Sequence, residues 1–189
     1  MEFLPYAQVR RALLEHGVIE QIEGDRLGLV LQTTDSRNAS PTATLHLGAA
    51  DIADPRTPEI EPHHLGACAE KLLHRAHAAE FVLIPALRWR PILDATAFDL
   101  ASIDDWREID ADAALHQNTR EPLAMLARNR SLVRAIIDSL TRNADGPDCD
   151  LTIASLDAPL LIEWRSRGTL TLHCPEASAE GLLQSLRAT

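Results

Sequence analysis

EPHHLGACAEKLLHRAHAAEFVLIPALRWRPILD, residues 61–94, decides how the rest of the chain is read. Pro62 suits a first helical position, because the N–H it lacks would be unpaired there anyway. From His63 to Ala79 the residues Leu65, Ala69, Leu72, Ala76 and Ala79 recur at three- and four-residue steps, which predicts a helix with one small apolar face. Gly66 is a weak point in it, costing about 1 kcal/mol against alanine. Phe81-Val-Leu-Ile84 is an all-apolar run ended by Pro85, the signature of a strand buried on both faces. Leu87 and Trp89 then alternate with Arg88 and Arg90. This predicts a second strand through Leu93, with Pro91 confining it to an edge, a bulge or an end.

Outward from that stretch, Tyr6, Val9 and Leu13 predict an amphipathic helix over 5–16, stopped by Gly17. Residues 18–22 and 26–32 flank Gly24-Asp25 as a hairpin. Residues 44–47 form a third short strand after a polar loop at 35–42. The proline-containing stretch 49–62 reads as an extended connection.

Beyond Asp94 the character changes. Residues 94–112 carry seven acids (Asp94, Asp99, Asp104, Asp105, Glu108, Asp110 and Asp112) against Arg107 alone. Ser102 and Asp105 resemble a capping box, with Ile103, Trp106 and Ile109 anchoring a short helix. Further helical turns are expected at 110–117, and Pro122 predicts a helix through Leu123 and Leu126. Leu132, Val133, Ile136, Ile137 and Leu140 form a clear helical stripe. Residues 120–142 hold five arginines against two acids, so this segment and the acidic one are expected either to pack near each other or to attract partners of opposite sign. Residues 151–156, 160–165 and 169–173 read as an antiparallel meander, and Pro175 and Glu176 open a last helix.

The elements add up to an α+β protein of antiparallel sheets with helices packed on one face. Helix, three strands, helix appears twice, at 6–79 and 130–187, as in two similar lobes. The acidic segment is a candidate boundary between an N-terminal lobe, 1–95, and a C-terminal lobe, 96–189; the alternative is that the two form one compact unit.

Composition narrows the function. Of 189 residues 46% are apolar, enough for a sizeable core, yet no run approaches the ~20 apolar residues of a bilayer span. The N-terminus lacks the basic and apolar regions of a signal peptide. Cys68, Cys149 and Cys174 are odd in number and widely spaced, which predicts reduced thiols and a cytoplasmic location. A net charge of −10 repels phosphate backbones, against nucleic-acid binding. With 17 arginines and Lys71 the one lysine, lysine chemistry would rest on Lys71.

Three groups could carry chemistry. His63, Glu70, His74 and His77 fall within about 60° of one another on a helix, and imidazole and carboxylate at three- and four-residue spacing can share a divalent metal. The alternative is a solvated face opposite the apolar stripe. Arg88, Arg90 and Arg165 would line one sheet face if their strands were neighbours, giving a patch for a carboxylate or phosphate. His173 and Cys174 project to opposite sides of a strand and do not make a nucleophilic pair, and buried thiols are the expectation for Cys149 and Cys174. Paired carboxylates in 94–112 lack the order of a calcium loop. The chain contains no phosphate-binding glycine loop, nucleophile elbow, Cys-x-x-Cys or dinucleotide fingerprint.

Over residues 5–95 the expected element order, α-β-β-β-α-β-β, resembles that of the small bacterial chaperones of secreted effectors. The resemblance implies an acidic, dimeric, non-enzymatic protein that binds another chain. The leading expectation is therefore a non-catalytic module working through a protein partner or self-association, without nucleic acid, membrane or cofactor. A metal-dependent hydrolase or metal-binding protein using the His63–His77 face is the first alternative. A small anionic-ligand module using the three arginines is the second.

Overall fold

The computed structural model describes residues 2–23, 26–32, 41–48, 57, 59–104, 106–109, 122–166 and 168–187. In chain order the elements are β1 (Glu2–Pro5), α1 (Tyr6–Glu15), β2 (Val18–Glu23), β3 (Arg26–Leu31) and β4 (Thr42–Gly48). A 3-10 turn (Pro62–His64) then leads into α2 (Leu65–Arg75), β5 (Phe81–Pro85) and α3 (Trp89–Leu100). After a helical turn at 106–109 come β6 (Leu123–Ala127), α4 (Arg130–Asn143), β7 (Leu151–Ser155), β8 (Leu161–Arg165), β9 (Thr169–Pro175) and α5 (Glu176–Arg187).

Among the described residues the strands form two sheets. One has the order β1-β6-β5-β7-β8-β9-β4, antiparallel throughout, and the other is the β2–β3 hairpin. The α+β class is as the patterning predicts. Strands before and after the acidic segment interleave in one sheet, with β6 between β1 and β5. The repeated element order is present, but its pairing differs between the halves. β7, β8 and β9 form a meander, whereas β2 pairs with β3 and β4 joins the far edge beside β9.

Strand alternation sends neighbouring side chains to opposite faces, and both faces are covered. Phe81, Leu83, Met125, Ile153, Ile162 and Leu172 pack with the apolar stripes of α2, α3, α4 and α5. Val82, Ile84, Ala124, Ala154 and Leu161 pack instead with Tyr6, Val9 and Leu13 of α1 and with Leu29 and Leu31 of β3. Every residue of β5 is buried, as the apolar run requires. Each such side chain contributes roughly 1.5–3 kcal/mol.

Two glycines fix close approaches. Gly17 has φ 78° and turns the chain from α1 into β2, where a Cβ would meet the Gln32 carbonyl oxygen at 2.2 Å. Gly66 lies where α2 crosses α4. A Cβ there would meet Asp138 Oδ1 at 2.2 Å and the Arg134 carbonyl oxygen at 2.7 Å. The helix-weakening glycine is thus what lets the two helices touch.

Two expected elements are overturned. Residues 87–93 do not form a second strand. Arg88 is the last extended residue and α3 begins at Trp89. Trp89, Ile92, Leu93, Thr96 and Leu100 form its buried face, and Pro91 sits in the first turn, where a missing N–H leaves no bond unmade. Trp89 fastens the helix start, donating from Nε1 to the Leu123 carbonyl at 3.0 Å and meeting the Phe3 ring edge-on at 5.2 Å. The order that resembles effector chaperones therefore lacks its last strand. Residues 123–126 are not helical either. Five apolar residues in succession make β6, buried beside β5. The helix that follows starts after Asn129, whose side chain accepts from the Ser131 N–H at 3.1 Å. The expected turn at Gly24-Asp25, the loop after residue 32, most of the connection before Glu59 and the helical turns at 110–117 lie outside the described residues.

Candidate functional site

A polar cluster spans β8, β9 and β4, on the face that α1 and the hairpin cover. Apolar Ile162, Trp164, Leu170, Leu172, Leu45 and Leu47 point to the helices. Their alternates, Glu163, Arg165, Thr171, His173, Thr44 and His46, therefore point the other way. Register aligns them in rows. Thr152, Glu163, Thr171 and His46 stand opposite one another across four strands, and His173 stands opposite Thr44. Between this face and the hairpin is a cleft of about 170 Å³, lined by Gln21, Gly28 and Val30 on one side and by Asp150, Thr152, Glu163 and Arg165 on the other.

Charges within the cluster contact one another, one arginine between two acids. Arg165 donates to Glu163 Oε2 at 2.6 Å and to Asp150 Oδ2 at 3.3 Å. Asp150 also accepts from the Ser166 N–H at 2.8 Å. His173 Nδ1 and Thr44 Oγ1 are 3.2 Å apart, and His173 Nε2 is 3.7 Å from Glu163 Oε1. His46 Nδ1 is 3.2 Å from Thr171 Oγ1. Burial holds the His173 imidazole below its ordinary value, against the pull of Glu163, with His46 and Arg165 adding to the depression. The two acids hold Arg165 above its ordinary value despite burial.

Hydroxyl, imidazole and carboxylate thus stand in the order Thr44, His173, Glu163, which is the order of a nucleophilic relay. Two features weaken it as one. The Glu163 charge is taken by Arg165, leaving little to hold an imidazolium, and the Nε2–carboxylate distance exceeds hydrogen-bond reach. The cluster is better suited to pinning neighbouring strands than to moving protons.

The residues singled out for metal binding lie apart in role. His63 is in the 3-10 turn, its ring 4.0 Å from that of His64. Glu70 accepts from Ser131 Oγ at 2.7 Å and pairs with Arg134 at 3.5 Å, tying α2 to α4. His74 Nδ1 is 3.5 Å from Arg130. His77 lies past the end of α2 with φ 57°. Among the described residues no three His, Cys, Asp or Glu side chains gather closely enough to hold a metal ion.

Arg88 and Arg90 begin α3, so no shared sheet face joins them to Arg165, and Arg90 pairs with Asp94 at 2.8 Å. Cys68, Cys149 and Cys174 are free and buried. Burial pushes all three thiols up, Cys174 to about 11, which disfavours the reactive thiolate.

Acidic and arginine-rich segments do meet. Asp99 accepts from Arg142 at 2.7 Å, Ser139 at 2.9 Å and Asn143 at 3.0 Å, and these bonds hold its carboxyl below the usual range. Asp104 pairs with Arg107. Glu163, Asp150, Thr44, His46 and Thr171 were not singled out by sequence. Their signal is polar–apolar alternation in three strands, which becomes a cluster only through a register spanning more than a hundred residues.

Set beside this fold and its polar cluster, comparisons found no matching family model, no matching curated protein and no matching solved structure.

Proposed function

We propose that this chain is a non-catalytic module, adaptor- or chaperone-like, that binds another protein chain through the outer face of α3. The carrying observation is Phe98, which is 93% exposed in the last turn of that helix. Asp94, Ala97 and Ala101 are exposed on the same side, while Trp89, Ile92, Leu93 and Leu100 fill the core on the other. Leaving a phenylalanine in water forgoes roughly 1.5–3 kcal/mol of burial, and aromatic side chains of this kind serve as anchors in protein interfaces. The reading also draws on the internally paired charges of the β8–β9–β4 cluster. The partner is a second copy or a different chain, and buried free thiols fit a reducing compartment such as the cytoplasm. Among the described residues no helix is long and apolar enough to cross a membrane.

The test combines light scattering with a photo-crosslinking side chain placed at position 98 in cells. The expected result is a dimer or a discrete complex that Phe98→Asp dissolves while leaving the melting temperature unchanged. A monomer whose crosslinks at 98 match those from exposed Glu180 would overturn the reading.

A further inference from the structure

A second opening, of about 410 Å³, lies between the end of α2, the β7–β8 turn and α5. Ala76, Leu160 and Leu182 give it an apolar lining, and Arg75 and His77 line it from the end of α2. Its volume falls within the range of small-molecule sites.

Two backbone choices are otherwise hard to explain. Gly181 stands in the interior of α5, where glycine is less favourable than alanine. Its missing Cβ would meet nothing within 4 Å, so no protein neighbour demands glycine there. What a side chain at 181 would occupy is the opening itself. The second is His77. Ala78 N–H donates to the Leu73 carbonyl at 3.0 Å and His77 N–H to the His74 carbonyl at 3.1 Å, the bonding of a helix stop whose left-handed residue is usually glycine. His77 holds that position with φ 57°, and it lines the cleft together with Arg75. Arg75 is exposed and makes no ion pair with a described residue, in a chain of net charge −10.

We propose that this cleft binds a small free carboxylate with an apolar body, the tail over Ala76, Leu160 and Leu182 and the carboxylate on Arg75 and His77. An arginine recognises a carboxylate through its charge and paired N–H donors, and the histidine adds a ring N–H. The opening left by Gly181 takes the body of the ligand. The site is independent of the α3 face, so either reading can fail alone.

Octanoate, with octanol as its uncharged counterpart, tests this on the full chain by amide chemical-shift titration. Octanoate should shift the amides of Ala76, His77 and Gly181 saturably and bind at least tenfold more tightly than octanol. Arg75→Gln should erase that preference while leaving octanol binding unchanged. Gly181→Leu should abolish both while melting no lower than the parent, since leucine is the better helix former. Equal binding of the two probes, shifts confined to other surfaces, or a Gly181→Leu variant that binds octanoate like the parent would overturn the proposal. If Gly181→Leu fails to fold, Arg75→Gln with the two probes decides alone.

Discussion

Oε1 of Glu163 lies 3.7 Å from Nε2 of His173, just outside hydrogen-bond reach, while the other Glu163 oxygen bonds Arg165 at 2.6 Å. The histidine is therefore partly buried beside a carboxylate whose charge is engaged elsewhere. Burial holds the folded imidazole below 6.5, so the unfolded chain takes up that proton first as pH falls. Stability from this group is complete above the unfolded value and declines as pH falls below about 6.5, by at most ~1.4 kcal/mol per pH unit. Asp99 and Asp157, both held below 3.8, lose their contributions only at lower pH, so among the described groups with a shifted value the window pH 5–6.5 falls to the histidine. Urea unfolding across that window should show a falling midpoint in the parent and a flatter one in His173→Gln. Parallel slopes in the two proteins would refute this account.

Arg165 bridges a buried acid, Asp150, and a partly buried one, Glu163, and its removal should be felt at both. Side chains of Asp150 and Glu163 are 7% and 14% exposed, whereas Arg165 is 43% exposed. Arg165→Ala should lose roughly 1–3 kcal/mol, below the range for a wholly buried pair because water reaches the arginine. Arg165→Lys should fall between, since an ammonium cannot span two carboxylates as a guanidinium does. Adding Glu163→Gln to Arg165→Ala should recover part of the loss. Denaturant midpoints measure all three, and an Arg165→Ala midpoint equal to the parent's would count against the bridge.

Gly66→Ala should destabilise the fold although alanine is the better helix former. Helix propensity favours the change by about 1 kcal/mol, but the new methyl overlaps Asp138 Oδ1 and the Arg134 carbonyl. Overpacking of this kind typically costs about 1–3 kcal/mol, so the net effect is a loss. Asp138→Ala in the same chain should relieve only part of it, because the backbone carbonyl stays. Calorimetry of the single and double variants checks the order, and a stabilised Gly66→Ala would show that α2 and α4 can move apart freely.

How much of this was legible depended on whether a pattern was local. Leu65, Ala69 and Leu72 gave α2, and Phe81-Val-Leu-Ile84 gave β5, because each pattern fits one element alone. Leu87 to Arg90 misled because four alternating residues imitate a strand, although Trp89, Ile92, Leu93, Thr96 and Leu100 already carried the helical period. Residues 123–127 misled through Pro122, which suits a helix start, when the unbroken apolar run resembled β5. Glu163, His173 and Thr44 were unreadable as a group, since no local rule says that β9 lies between β8 and β4. The exposure of Phe98 was hidden for a similar reason. Only tertiary packing decides which side of an apolar-rich helix meets the core.

The edges of the large sheet carry a consequence for synthesis. β1 and β4 are made early, yet their partners β6 and β9 are residues 123–127 and 169–175. A nascent chain emerging from the ribosome holds two strands with nowhere to dock until much later segments arrive, so neither rim can zip up during most of translation. Arrested chains ending before residue 169 should leave β4 unpaired and open to digestion, and that vulnerability should vanish once β9 has cleared the exit tunnel.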